Sequence, residues 1–324
     1  MESLRQCSQW IRGYVNDPRH QQTLMSVKFD WHQLCAAMDI VDDVDLALDA
    51  YLRNSFPADD GEKYLRIYGV LQALFVQQDA LGHLVAIVRP SFSLVLSDVL
   101  KDIREIRNAS IGHPTETKRK GQLSVHSMNR STLDRDGFLL LSFDEKNGTL
   151  FENVRVSELI EMQRREAVRI LTDVARQLRE SDEAHKRQFR SISLRNAFAN
   201  VTYAFEKISD DARRSSAPGM GGWAVEYLQS SLLEFETLLR DRGLDLETYD
   251  HIKYLYDEIR HPLSQLRTYI KGETSEIRSR ETAIVFADAL QGHFTELMGL
   301  AREIDEDYAS ADEDQLRAAS DEMT

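Results

Sequence analysis

The sequence predicts a mainly α-helical protein: a helical bundle, a small β-meander appendage and a helical C-terminal half. Three observations carry this. Apolar residues recur at spacings of three and four over most of the chain. The period switches to alternation between Leu123 and Val156, and Pro and Gly stand where helical runs stop. With 324 residues, 42% of them hydrophobic, the chain can bury a sizeable core, and its length suggests about two domains.

The first amphipathic helix spans Trp31 to Asn54, where Leu34, Met38, Val41, Val44, Leu48 and Leu52 share a face and Pro57 follows. After Asp59-Asp60-Gly61, a long core helix covers Glu62 to Val88 and stops at Pro90. It is the most apolar stretch, but Gln72, Gln77, Gln78, Asp79 and His83 interrupt it, so it reads as a core helix and not a bilayer span. A helix from Ser91 then carries the stripe Leu96, Val99, Ile103 and Ile106.

Past Gly121, Leu123–Arg130, Gly137–Phe143 and Thr149–Val156 read as three short strands joined by Asp- and Gly-containing turns. Ser157 opens a long helix to about His185, and another covers Leu194 to Arg213. Ser215 to Gly222 reads as a flexible linker. Beyond it, Trp223–Arg242, Leu246–Ile259, Leu263–Gly272 and Ser275–Glu303 are helical patterns, and the acidic tail past about Tyr308 is expected to be mobile. The expected organisation is a bundle over 1–120 with its core at 62–120, a meander over 121–156, long helices over 157–214, a linker at 215–222, a helical region over 223–308 and a tail at 309–324.

The net charge of −14 argues against a large sequence-independent nucleic-acid platform, because such binding neutralises many phosphates with Lys and Arg. A local basic site remains open, since Lys101, Arg104, Arg107, Lys118, Arg119, Lys120 and Arg130 gather between 101 and 130. Two cysteines, Cys7 and Cys35, provide neither a disulfide framework nor a zinc site, so a reducing cytoplasm is expected, with no metal and no cofactor. Met1–Trp10 lacks the basic start and apolar run of a secretory signal, and no membrane association is expected.

The segment Arg104-Glu-Ile-Arg-Asn-Ala-Ser-Ile-Gly-His-Pro-Thr115 carries the chemistry. In an unbroken helix Arg107 and His113 would point about 120° apart. Gly112 and Pro114, however, are expected to end the helix near Ile111, with Gly in a left-handed cap, letting His113 turn back toward Arg107 and Asn108.

Arg107-Asn108 followed by His113 resembles the R-x4-6-H signature of the HEPN superfamily. The preceding helix, with Gln77-Gln78-Asp79-Ala80-Leu81, is similar in order to HEPN bundles over about Glu62 to Lys120. The resemblance implies a HEPN-like bundle and a metal-independent endoribonuclease, in toxin or antiviral-defence settings, acting by 2′-hydroxyl attack on an RNA substrate. It also implies a homodimer with a composite site and a regulatory partner such as a nucleotidyltransferase antitoxin. His113 would be acid or base, Arg107 would hold the scissile phosphate and Asn108 would orient both. Ser110, Lys118, Arg119, Lys120 and His126 are candidate substrate contacts. The chemistry is coherent: cleavage needs a proton acceptor, a proton donor and positive charge on the phosphoryl oxygens, and His and Arg supply these types of group.

The alternative is a catalytically inactive helical interaction module in which Gly-His-Pro only stops a helix. Asp257-Glu-Ile-Arg-His-Pro262 echoes the motif without its spacer and reads as a second helix break. His83 reads as packed or partner-facing. Gly219-Met-Gly-Gly222 lacks the Lys-Ser/Thr of a phosphate loop. Lys186-Arg187 and Arg213-Arg214 read as solvated surface, and Tyr203, Phe205, Tyr227, Phe235, Tyr249, Tyr254 and Tyr256 as core.

Overall fold

Capping decides where the first helices begin. The structure, a computed structural model, describes residues 3–25, 28–89, 93–119, 122–144, 146–213 and 219–309. Helix α1 (Leu4–Val15) starts at a capping box in which the Gln6 N–H donates to Ser3 Oγ at 3.2 Å and the Ser3 N–H donates to Gln6 Oε1 at 2.8 Å. Two helices follow, α2 (Pro18–Met25) and α3 (Lys28–Arg53). Asp59 caps α4 (Asp60–Val88) by accepting from the Glu62 N–H. The next helix, α5 (Asp98–Arg107), begins at its Ser97 cap and not at Ser91, which lies outside the described residues. The Ser97 hydroxyl takes the Leu100 N–H, so the helix begins where its orphan donors find an acceptor.

The appendage has four strands where three were expected: β1 (Thr117–Arg119), β2 (Gln122–Met128), β3 (Gly137–Asp144) and β4 (Gly148–Arg155), antiparallel in the order β1-β2-β3-β4. Gly137 is obligatory at the start of β3. Its φ is 153°, and an added Cβ would collide with the Val154 carbonyl of the neighbouring strand. Pairing of Val125 with Phe143 and of Leu141 with Phe151 puts these four side chains on one face of the sheet. The opposite face carries Phe138, Leu140 and Val154 into the core.

The chain divides into two compact units, one running to Arg179 and the other from Glu180, with the division inside α6 (Val156–Phe189). In the first unit, the helix α4 is long and apolar enough to cross a membrane by length and composition. Its Leu71, Leu74, Leu81 and Leu84, however, are core residues. Two of the glutamines that interrupt it, Gln77 and Gln78, join Gln163 in a buried amide chain. Gln78 Nε2 donates to Gln163 Oε1 (2.9 Å), Gln163 Nε2 donates to Gln77 Oε1 (3.1 Å), and Gln77 Nε2 donates to the Val41 carbonyl (3.2 Å). Three helices are thereby keyed together by groups that would be costly to bury unpaired.

The second unit contains a 3-10 turn (Leu194–Phe198), then α7 (Val201–Arg213), α8 (Gly221–Asp241), α9 (Asp250–Ile270) and α10 (Arg280–Ala309). The helix expected from Leu194 thus splits, and the one expected from Ser275 starts at Arg280. The break expected at Pro262 is absent: α9 runs through it, because Ile259, Leu263 and Leu266 form one buried stripe whose packing outweighs the missing backbone hydrogen bond. Half of the expected linker, residues 215–218, and the tail from 310 lie outside the described residues. Among the aromatics expected in the core, Phe205, Phe235 and Tyr256 are buried, while Tyr203 and Tyr254 are exposed.

The second core is pinned at one end by Asp305. This carboxylate accepts from the backbone N–H groups of Leu194 (3.0 Å) and Arg195 (3.2 Å) and from Ser193 Oγ (2.8 Å), and it pairs with the buried Arg242 guanidinium. Burial alone would raise its pKa. The backbone donors, Ser193 and the charge of Arg242 outweigh burial and hold it below the ordinary carboxylate value.

Candidate functional site

The motif segment does not end as a capped α-helix. Helix α5 passes at Asn108 into a π turn, Asn108–Gly112, closed by the His113 N–H donating to the Asn108 carbonyl at 2.8 Å. Gly112 is not in the left-handed conformation expected of a cap. It is needed for a different reason: a Cβ there would stand 2.7 Å from Arg107 Nη1 and 3.1 Å from Asn108 Oδ1. The absent side chain is what lets the turn close over the guanidinium. Single π turns within helices recur at functional sites because they reset the direction of the side chains that follow.

Arg107 is held on three sides. Its Nε and Nη2 donate to Gln72 Oε1 at 3.3 and 2.7 Å, its Nη1 donates to Asn108 Oδ1 at 2.9 Å, and its guanidinium carbon lies 4.5 Å from the centre of the Phe75 ring. All three supports are neutral. One turn earlier on α5, Arg104 covers the same ring at 4.6 Å, yet it pairs with the Asp79 carboxylate and donates through Nε to Gln78 Oε1 at 2.7 Å. Two arginines three residues apart thus have different electrostatic fates. Arg104 is neutralised and tied to the buried amide chain, whereas among the described residues Arg107 has no ion pair. An oriented guanidinium without a carboxylate keeps its charge, and the N–H donors that Gln72 and Asn108 leave over, for an external anion.

The remaining candidates divide between this place and others. His113 follows Gly112 directly and its side chain is exposed. Ser110 is buried, and its hydroxyl has no hydrogen-bond partner among the described residues, so it faces the interior and not a substrate. Lys118 and Arg119 are in β1, which follows the motif in the chain; Lys120 lies outside the described residues. His126 is on β2. It receives a different environment, with Nδ1 2.7 Å from Ser142 Oγ and its backbone N–H donating to the Pro114 carbonyl at 2.6 Å. It lines a cavity of about 360 Å³ with Ile103, Ile106, Ala109 and the carboxylates of Asp102, Glu105, Glu152 and Glu158. Arg107 is not among the residues that line this cavity.

Among the described residues, the other basic and glycine-rich segments offer no comparable site. Lys186 is paired with Asp182 and Asp307. The Asp211 carboxylate accepts from the Gly221 N–H at 2.6 Å, in the place where a phosphate loop would hold its ligand. His83 is exposed, with Nδ1 3.0 Å from Gln33 Nε2. Among the described residues no group of three or more His, Cys, Asp or Glu side chains is arranged to hold a metal ion.

The supports of Arg107 were not among the sequence-derived candidates. Gln72 and Phe75 lie three residues apart on α4, on the same side as Asp79, and that spacing was the available signal. Compared with protein-family models, curated proteins and solved structures, the chain has no match, so the reading of this site rests on its own residues and their geometry.

Proposed function

We propose that this chain is a metal-independent endoribonuclease of the HEPN kind, acting in the cytoplasm as a toxin or antiviral-defence enzyme. The observation that carries the reading is the Arg107 guanidinium, oriented by neutral groups only, beside a π turn that leads to an exposed histidine. In this reading Arg107 grips the scissile phosphate and stabilises charge as it builds on the phosphoryl oxygens. A histidine takes the proton of the 2′-hydroxyl as its oxygen attacks phosphorus, and the 5′-oxygen leaves with a proton from a second acid. Each chain offers one motif histidine, so two copies are required for one turnover, and a homodimer with a composite site follows.

Purified protein incubated with total RNA in EDTA tests this. Cleavage that disappears in Arg107→Ala and His113→Ala, with melting temperatures unchanged, is the expected result. Intact RNA with the wild-type protein, or a mass of one chain by light scattering at micromolar concentration, would sink it.

A second reading is a catalytically silent interaction module. It is favoured by the outer face of the sheet, where Leu123, Val125, Phe143 and Phe151 are exposed together. Under that reading Arg107→Ala and His113→Ala change no RNA-directed activity.

A further inference from the structure

We propose that Tyr68 is a nucleobase-stacking platform, placed so that a single-stranded RNA crosses α4 with one base on Tyr68 and the adjoining phosphate on Arg107. The proposal rests on the ribonuclease reading above and adds to it a residue that contacts the base. Tyr68, Gln72 and Phe75 stand at i, i+4 and i+7 on α4, which puts them on one face of the helix. Gln72 and Phe75 are the groups that hold the Arg107 guanidinium. Tyr68 is one helical turn before Gln72, about 6 Å along the axis, a separation a nucleotide spans between its phosphate and its base.

The ring is built to stay in place while exposed. Tyr68 is 43% accessible, and Tyr64 supports it edge-to-face with centroids 5.7 Å apart at 71°. Gly69 beside it presents no Cβ, and one placed there would meet nothing within 4 Å, so a flat ligand can approach. Leu65, 72% exposed on the same stripe, extends the apolar surface. A soluble helix ordinarily turns polar residues outward; this one turns out a tyrosine and a leucine on the face whose Gln72 and Phe75 hold an unneutralised guanidinium. An apolar π-face joined to a single positive charge matches a nucleobase joined to a phosphate, and stacking accepts any base. Charge complementarity with the phosphate selects RNA over a purely apolar protein partner for this face.

The test measures binding of a fluorescein-labelled 2′-O-methyl oligonucleotide, which cannot be cleaved by 2′-hydroxyl attack, to wild-type protein, Tyr68→Ala, Tyr68→Phe and Arg107→Ala. An abasic strand of the same length is the second probe, and cleavage of the matching RNA is followed in parallel. Tyr68→Ala is expected to weaken binding of the base-bearing strand about 5- to 150-fold, the range of one lost stacked base. Tyr68→Phe should bind as wild type, and on the abasic strand Tyr68→Ala should equal wild type. If Tyr68→Ala binds the base-bearing strand normally while Arg107→Ala does not, the platform is overturned and the ribonuclease reading stands. If wild-type protein neither binds nor cleaves, the ribonuclease reading itself falls. If Tyr68→Ala instead halves the mass measured by light scattering, this face belongs to a protein interface and the platform is overturned.

Discussion

The side-chain oxygen of Gln72 accepts both Nε and Nη2 of Arg107, so an amide on α4 sets the direction of a charged fork on α5. Because the amide orients the fork without neutralising it, its chemistry is separable from its geometry. On the proposed ribonuclease reading, Gln72→Ala is expected to lower kcat/KM for RNA about 10-fold, equivalent to ~1.4 kcal/mol of transition-state stabilisation. Gln72→Glu should cost more than Gln72→Ala, since a carboxylate in that place competes with the phosphate. Equal activity in the two variants would show that the amide is not a positioning group. Melting temperatures control for folding.

Gly112→Ala tests the closure of the π turn over Arg107. The added methyl would stand 2.7 Å from Nη1, so the guanidinium must move. Its backbone conformation is not left-handed, so the substitution adds no strain of the kind that favours glycine. RNA binding is therefore expected to fall several-fold with a melting temperature within a few degrees of wild type, as read by fluorescence titration and thermal denaturation.

Gln163→Leu removes the centre of the buried amide chain and leaves Gln77 and Gln78 each short of a partner. The expected loss is on the order of 3 kcal/mol in the first unit, read as a lower urea midpoint. An unchanged midpoint would mean that the chain contributes no net stability.

Asp305→Asn addresses the second unit. The folded carboxyl is held below its ordinary value, so its contribution is complete above about pH 4 and is lost as pH falls through the lower folded value. At neutral pH the substitution leaves the buried Arg242 without its counter-charge, at a cost of about 3–5 kcal/mol. Urea midpoints between pH 7 and pH 2 should fall less steeply in the variant than in the wild type. Parallel curves would contradict the assignment.

Legibility in the sequence followed range. The stripe Leu34, Met38, Val41 and Leu48 and the alternation after Leu123 report on neighbours within one element, and both appeared as expected. The extra strand β1 was invisible because a three-residue strand has no period of its own, only a partner in β2. Pro262 misled because a local breaking rule was outweighed by burial of Ile259, Leu263 and Leu266. Tyr203 and Tyr254 misled in the other direction, since helical spacing marks a face without saying whether anything covers it.

By itself, then, the sequence determined most of the helices and the meander, and it placed Arg107, Asn108, Gly112 and His113 in one short segment, because periodicity and turn chemistry are local. Only the tertiary structure decided that Arg104 is neutralised by Asp79 while Arg107 is held by Gln72 and Phe75, that Ser110 is buried, and that His126 lines a cavity with Ile103 and Ile106. Those outcomes depend on which residue of one helix meets which residue of another. The register between α4 and α5 is set by packing and by the bonds of Arg104 to Gln78 and Asp79, terms that no single stretch of sequence contains.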